Sequence, residues 1–402
     1  MLQKMTRIAK PLNPFFLSSD IPDAYFCDRE KETRTLLRHI EGRSNVLLMS
    51  PRRMGKSGLI HHIFRKQEIR KNYYTFYIDL YETASMEEFI QKLGREIVGK
   101  LSGRGFDVLK RFLGALPSLR GVFSLDPTTG MPAFSVGIGD IPRPESTLDE
   151  IFSYLEKADK PCIVAIDEFQ RIANYEQKNV EAILRSRIQF MHNTTFIFAG
   201  SERSVLAQMF GSAARPFYQS TATMSLEAID KEKYTNFVSS LFRQYGKKIE
   251  ATAVFDLYDL LQGYTYYLQR VLNQAFPILP ENRICDSAFL LECTENILTD
   301  NTDTFQEILS GLTVNQRSLL EAVSLEGTAV NITSADFIKK HGMVSVSSVQ
   351  SAARALLKRQ LLTRSPKKTY YLDDKFLELW LIRQHGLTPA IRLEQNRSSV
   401  SL

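Results

Sequence analysis

Over the first 230 positions, apolar residues alternate between two spacings. Short apolar-rich runs at 45–49, 73–80, 162–166, 195–199 and 223–226 predict strands. Stretches such as 86–100 and 179–192 fit helices between them. Strand alternating with helix predicts a parallel sheet covered on both faces. Aromatic residues crowd 73–80, which favours strand over helix there. An insertion at about 103–144 carries 122–125 and 133–136 around a turn with Pro127 and Gly130, a hairpin pattern. It reads as a partner-binding arm or as a structural decoration.

Beyond residue 230 the pattern changes. Positions 231–308 are helical throughout, clearest at 234–245, 251–261 and 266–276, with Gly263 where a helix would stop. Positions 309–386 predict helices at 315–325, 334–341 and 346–359. Short strands at 361–363 and 369–372 then flank the basic loop 364–368. Three helices and a wing describe a winged helix-turn-helix. The segment 387–402 reads as a tail whose polar end, 395–402, should fray. The domain reading is thus a core over 1–230, a helical lid over 231–308, a winged helix over 309–386 and the tail.

Length and composition fit this plan. The 402 residues are 44% hydrophobic, enough for several cores. Cys27, Cys162, Cys285 and Cys293 are scattered and suggest neither a zinc site nor a disulfide framework. No apolar run is long enough to span a membrane, and the basic start lacks an apolar core. The expectation is a cytoplasmic protein with no membrane partner. The net charge of +6 is mild, and most of it falls in 311–386, where eleven Lys and Arg stand against six Asp and Glu.

The chemistry concentrates at two places. Ser50-Pro51-Arg52-Arg53-Met54-Gly55-Lys56-Ser57 follows the apolar run 46–49 and precedes a helical pattern from Gly58. A loop entering a helix aims unpaired N–H groups and a positive dipole end at one spot, which suits phosphates. Residues Ser50 through Gly58 would hold a nucleoside triphosphate, with Lys56 on its β- and γ-phosphates and Ser57 on Mg²⁺. Ser50 stands where such loops usually begin with Gly. A surface turn is the competing reading.

The second place is Cys162-Ile163-Val164-Ala165-Ile166-Asp167-Glu168, an apolar strand ending in two carboxylates. Ligands of α/β sheets bind at such strand ends. Asp167 would hold Mg²⁺ through water, and Glu168 would deprotonate the attacking water. The alternative is that the acids cap the next helix. The two segments together, in this order, describe a P-loop ATPase using ATP and Mg²⁺.

These residues carry a resemblance. Phe26-Cys27-Asp28-Arg29-Glu30-Lys31-Glu32, the Pro51–Ser57 loop, Ile166–Gln170, Phe198–Ser201, Gly263–Gln269 and the winged-helix pattern resemble, in order, the archaeal-type ATPases. These are a branch of the AAA+ and STAND P-loop proteins, and this chain looks like a bacterial member. The resemblance implies an α/β P-loop NTPase parallel sheet with helices on both faces, followed by a helical lid and a winged helix-turn-helix. It implies that 21–30 lines the adenine pocket and that Ser201 is catalytic, sensing the γ-phosphate or the water; a strand-end cap is the plainer reading of Ser201. It also implies that 263–269 forms the lid turn, with Thr265 where the family often has Pro. Arg215 lies near the arginine-finger place without matching it, and Arg52 and Arg53 flank the phosphates or form a solvated face.

Two functional classes follow. One is an ATP-dependent conformational switch on an unknown protein partner, slow in hydrolysis without an activator and able to assemble into an oligomer on binding ATP. Winged helices in such switches also clamp the nucleotide domain. The other is a DNA-binding ATPase using 309–386, with Ser345, Ser347, Ser348, Gln350, Arg354 and Lys358 on a recognition helix and Lys367 and Lys368 on phosphates.

Overall fold

The central sheet is built from strands that read as near-continuous apolar runs because both of their faces are covered. A computed structural model describes residues 10–102, 123–125, 132–134, 143–365 and 368–400, the backbone alone at 102, 123–125, 132–134 and 395–400. Within it, β1 (Val46–Met49), β2 (Tyr74–Asp79), β5 (Cys162–Asp167), β6 (Thr194–Gly200) and β7 (Ala222–Ser225) form one sheet. Its order is β2-β5-β6-β1-β7, and every neighbouring pair is parallel. Every residue of β5 and β6 is buried. In the insertion, β3 (Phe123–Leu125) pairs antiparallel with β4 (Pro132–Phe134), as a hairpin requires. Its turn and the remainder of 103–142 lie outside the described residues.

Helices pack around this sheet, including Lys56–Arg65, Met86–Ser102 and Pro144–Glu156. Under one edge, Phe169, Phe198, Phe210 and Phe217 meet in every pairing at centroid separations from 4.5 to 5.8 Å. Aromatic pairs of this kind add about 0.5–1.5 kcal/mol each beyond area burial. Phe169 directly follows Glu168, and Phe198 lies on β6.

By its contacts the chain divides into two compact units. One holds 29–51 and 56–227, and therefore the sheet. The other holds 1–28, 228–402 and the four residues Arg52–Gly55. The helical stretch of this second unit contains Lys231–Gln244, Ala251–Leu260, Thr265–Ile278, Ser287–Asp300 and Thr302–Ser310. A short parallel pair, β8 (Lys248–Ile249) with β9 (Ile284–Cys285), ties two of its loops together. The winged helix follows, with helices Val314–Glu326, Ala335–Lys340 and Val346–Lys358. Its wing has three strands, because β10 (Ala329–Val330) joins β12 (Thr369–Tyr371) beside β11 (Thr363–Arg364). Pro366 and Lys367 of the wing loop lie outside the described residues.

Most of the tail, expected to be irregular, is helical: a helix runs over Pro389–Val400. Arg392 explains it. This residue is buried, donates to the carbonyls of Ser324 and Leu325, and reaches Glu378 Oε1 at 3.4 Å. Lys375 Nζ meets the other Glu378 oxygen at 2.8 Å. Lys375, Glu378 and Arg392 are thus a buried charged trio. The four cysteines are buried and none is in a disulfide.

Removing one member of a buried ion group strands the others without compensation. Glu378→Ala should therefore cost about 3–5 kcal/mol of stability. Urea unfolding followed through Trp380, the chain's one tryptophan, measures this directly; a loss under about 1 kcal/mol, as for a surface pair, would refute the assignment.

Candidate nucleotide site

Parallel register places three strand ends side by side. Met49 pairs with Gly200, and Asp79 with Asp167. The loop after β1, the acids after β5 and Ser201 after β6 therefore share one edge of the sheet. This is the C-terminal edge, where α/β folds take their ligands.

Ser50 is fully buried, and its N–H donates to the Gly200 carbonyl at 3.4 Å. Ser50, in the usual glycine's place, thus lies against the end of the neighbouring strand β6. Gly55 has φ +95°, a conformation that side chains resist. Lys56 opens the helix Lys56–Arg65, and its Nζ donates to the Ser50 and Pro51 carbonyls at 3.3 and 3.4 Å. It is buried across its own loop.

Ser57 Oγ donates to Asp167 Oδ2 at 2.6 Å. The two residues that the sequence assigns to a metal are thus brought together, although 110 positions apart. Tyr77 on β2 donates its hydroxyl to the same oxygen at 2.7 Å. Burial first, and the Asp167 charge second, raise the Tyr77 phenol well above its ordinary range, so it remains a donor. The Glu168 N–H donates to Asp167 Oδ1 at 2.9 Å. Asp167 is therefore held on both oxygens. A hydroxyl beside a carboxylate is a hard oxygen pair, the donor set that Mg²⁺ takes alongside phosphates.

Glu168 sits at φ +52°, where the chain leaves β5 for the short 3₁₀ turn Phe169–Asn174. Ser201 Oγ donates to Glu168 Oε2 at 2.9 Å, and Gln170 donates its side-chain amide to the same oxygen. Glu168 and Ser201 are thus adjacent. The Gln170 carbonyl oxygen finds no partner among the described residues and crowds the place where a Cβ of Gly200 would stand. Tyr77, Gln170 and Gly200 were not singled out in the sequence. The aromatic strand and the Asp-Glu-Phe-Gln run were the available signals.

The loop tip groups with the second unit. Arg53, at φ +65°, pairs with Asp374 at 3.0 Å. Its guanidinium lies over the rings of Tyr266 and Tyr267, 5.3 and 4.8 Å from their centroids. The Arg53 carbonyl accepts from the Tyr266 N–H at 3.1 Å. Arg52 donates to Gln360, and Met54 is buried in the apolar core of this unit. Thr265 opens the helix Thr265–Ile278. Arg215 is held by Glu181 through two guanidinium hydrogen bonds. Burial raises the Glu181 carboxyl and Arg215 opposes that rise.

Comparison with known proteins bears on the family and the fold. A family described as an ATPase domain predominantly from Archaea matches residues 26–271, and a probable winged helix domain matches 303–383. An uncharacterized ATP-binding protein of Methanocaldococcus jannaschii is 29% identical over 170 residues, which is 37% of this chain and 41% of that protein. The chain thus spans less than half of that relative. Among solved structures, a Walker-type ATPase of Pyrococcus abyssi is similar with a TM-score of 0.63 at 18% identity, over 92% of this chain and 99% of that one. The ORC1 protein of Aeropyrum pernix, in complex with DNA, has a TM-score of 0.53 at 14% identity, over 93% and 97%. Both likenesses concern the fold.

Gly200 has no room for a methyl group, since Gln170 and Leu206 occupy it. Gly200→Ala should destabilise the chain by about 1–3 kcal/mol through overpacking. It should also displace Gln170 from Glu168. Thermal unfolding and steady-state hydrolysis test the pair; unchanged values in both would show that the contact is slack.

Proposed function

Because the chain belongs to the family described as an ATPase domain predominantly from Archaea, we propose that it binds ATP with Mg²⁺, hydrolyses it, and uses the nucleotide as a conformational switch on a protein partner. The observation that carries this reading is the junction of Ser57, Asp167, Glu168 and Ser201 at one strand edge.

The chain's own groups divide the work. Backbone N–H groups from Arg53 to Ser57 and the Lys56 ammonium bind and orient the phosphates. Ser57 and Asp167 would hold Mg²⁺, which offsets phosphate charge when bound. Glu168 takes a proton from water as the water oxygen bonds to the γ-phosphorus and the bond to the β-phosphate oxygen breaks, leaving ADP and phosphate. Ser201 and Gln170 fix the Glu168 carboxylate in place.

The switch reading is supported by the loop tip. Arg53 is gripped by Asp374, which caps the helix Lys375–Gln384, and by the tyrosines that begin Thr265–Ile278. A change at the phosphates therefore reaches both the lid and the winged helix through one side chain. Hydrolysis would be slow on its own, because the nearest arginine-finger candidate, Arg215, is engaged by Glu181.

A DNA reading is favoured by one observation. On the helix Val346–Lys358, the exposed residues Ser347, Gln350, Arg354 and Lys358 follow helical spacing along one stripe.

Lys56→Ala should abolish ATP binding in equilibrium titration. Glu168→Gln should still bind, with single-turnover hydrolysis down about 10²–10⁴-fold; a Gln variant as fast as the parent sinks the catalytic assignment. Asp374→Asn keeps the helix cap but removes the partly exposed ion pair, worth up to about 1 kcal/mol. ATP affinity should then shift by up to about fivefold, and no shift would remove the support for a switch through Arg53. For DNA, fluorescence anisotropy should give log affinity falling with log salt at a slope of about −2 or steeper, as two or more phosphate contacts require. A flat response would exclude the stripe as a DNA surface.

A further inference from the structure

The second unit contains a cavity of about 250 Å³ that does not include Lys56, Ser57, Asp167 or Glu168. Arg53, Arg270, Tyr266, Asn301, Asp374 and Phe305 are among its walls. The two guanidinium groups differ in their surroundings. Arg53 is charge-matched by Asp374 at 3.0 Å. Arg270, half-buried on the helix Thr265–Ile278, makes no hydrogen bond or ion pair among the described residues. The cavity therefore carries one net positive charge. A half-buried guanidinium without a partner is costly unless something supplies one.

The remaining walls limit what that partner is. Tyr266 is 38% exposed, and its hydroxyl has no partner among the described residues, so it can donate beside Arg270. Asn301 spends one of its two amide N–H groups on the Ile297 carbonyl at 2.7 Å. Buried Phe305 and Phe376 give the lining an apolar part. The space holds a tetrahedral or planar oxyanion together with several waters, each needing roughly 30 Å³. Neither cysteine nor histidine lines it, so a soft metal has no ligands there.

We propose that this cavity is a second ligand site, which takes a small oxyanion, a phosphate or a carboxylate, on the Arg270 guanidinium and the Tyr266 hydroxyl. Its occupant draws Arg53 away from Asp374, because an anion so near offers that guanidinium a competing partner. The site adjoins the nucleotide loop through the Arg53 side chain, but its proposed anchor Arg270 belongs to the lid helix and Lys56 is not part of the cavity.

Trp380 provides the readout. It is the sole tryptophan, and its ring lies 5.6 Å from that of Phe305 on the cavity wall. The full chain, free of nucleotide, is titrated with inorganic phosphate and separately with acetate at fixed ionic strength. Trp380 fluorescence and calorimetry are both recorded. At least one anion should saturate on the parent and equally on Lys56→Ala, which silences the nucleotide loop. Arg270→Gln should weaken that binding about tenfold or more, as the loss of a charged hydrogen bond implies, with circular dichroism unchanged. Tyr266→Phe should weaken it to a lesser degree and serves in place of Arg270→Gln if the latter unfolds. Response to phosphate alone identifies a phosphoryl ligand, and response to acetate a carboxylate. Binding that vanishes in Lys56→Ala, that persists undiminished in Arg270→Gln or in its stand-in Tyr266→Phe, or that neither method detects would overturn the proposal.

Discussion

Strand register is the constraint on which the rest of this molecule depends. With Met49 beside Gly200 and Asp79 beside Asp167, the chain cannot avoid delivering a loop, two acids and a hydroxyl to one edge. No single side chain chose that meeting place. It follows from parallel pairing and from helices that return the chain to the same starting edge each time. The 2.6 Å bond from Ser57 to Asp167 is the point at which register becomes chemistry.

Around that point the polar groups are positioned by second partners. Asp167 is fixed by Tyr77 and by its neighbour's N–H, Glu168 by Ser201 and Gln170, and Lys56 by the carbonyls of its own loop. Buried polar atoms left unpaired are expensive, so each such bond both lowers energy and selects one geometry. The winged helix uses the same device in its interior, where Lys375 and Arg392 share the Glu378 carboxylate.

The legible parts of the fold were those whose physics is local. A run such as Cys162-Ile163-Val164-Ala165-Ile166 announces a strand covered on both faces, and Gly-Lys-Ser after an apolar run announces the loop. Helix starts were legible where a hydroxyl caps them, as at Ser345, whose side chain accepts from the Ser348 N–H. What escaped was set by distant neighbours. Tyr77 reaches Asp167 only because β2 lies next to β5. Gly200 matters only because Gln170 leans against it. The Pro389–Val400 helix has polar composition, and its anchor is a buried arginine, which composition rules place at the surface. The grouping of Arg53 and Met54 with the lid and winged helix has no local signature.

The buried thiols have a practical consequence. Burial lifts Cys162 and Cys285 to about 12 and Cys293 to about 11, so almost no thiolate exists near neutral pH, and no reagent can reach the sulfur while the fold is closed. Alkylation must wait for local opening. Cys162 lies in the sheet unit, whereas Cys27, Cys285 and Cys293 lie in the other. The chain therefore carries an inbuilt pair of labels whose modification rates report the breathing of each unit separately, without any engineered probe.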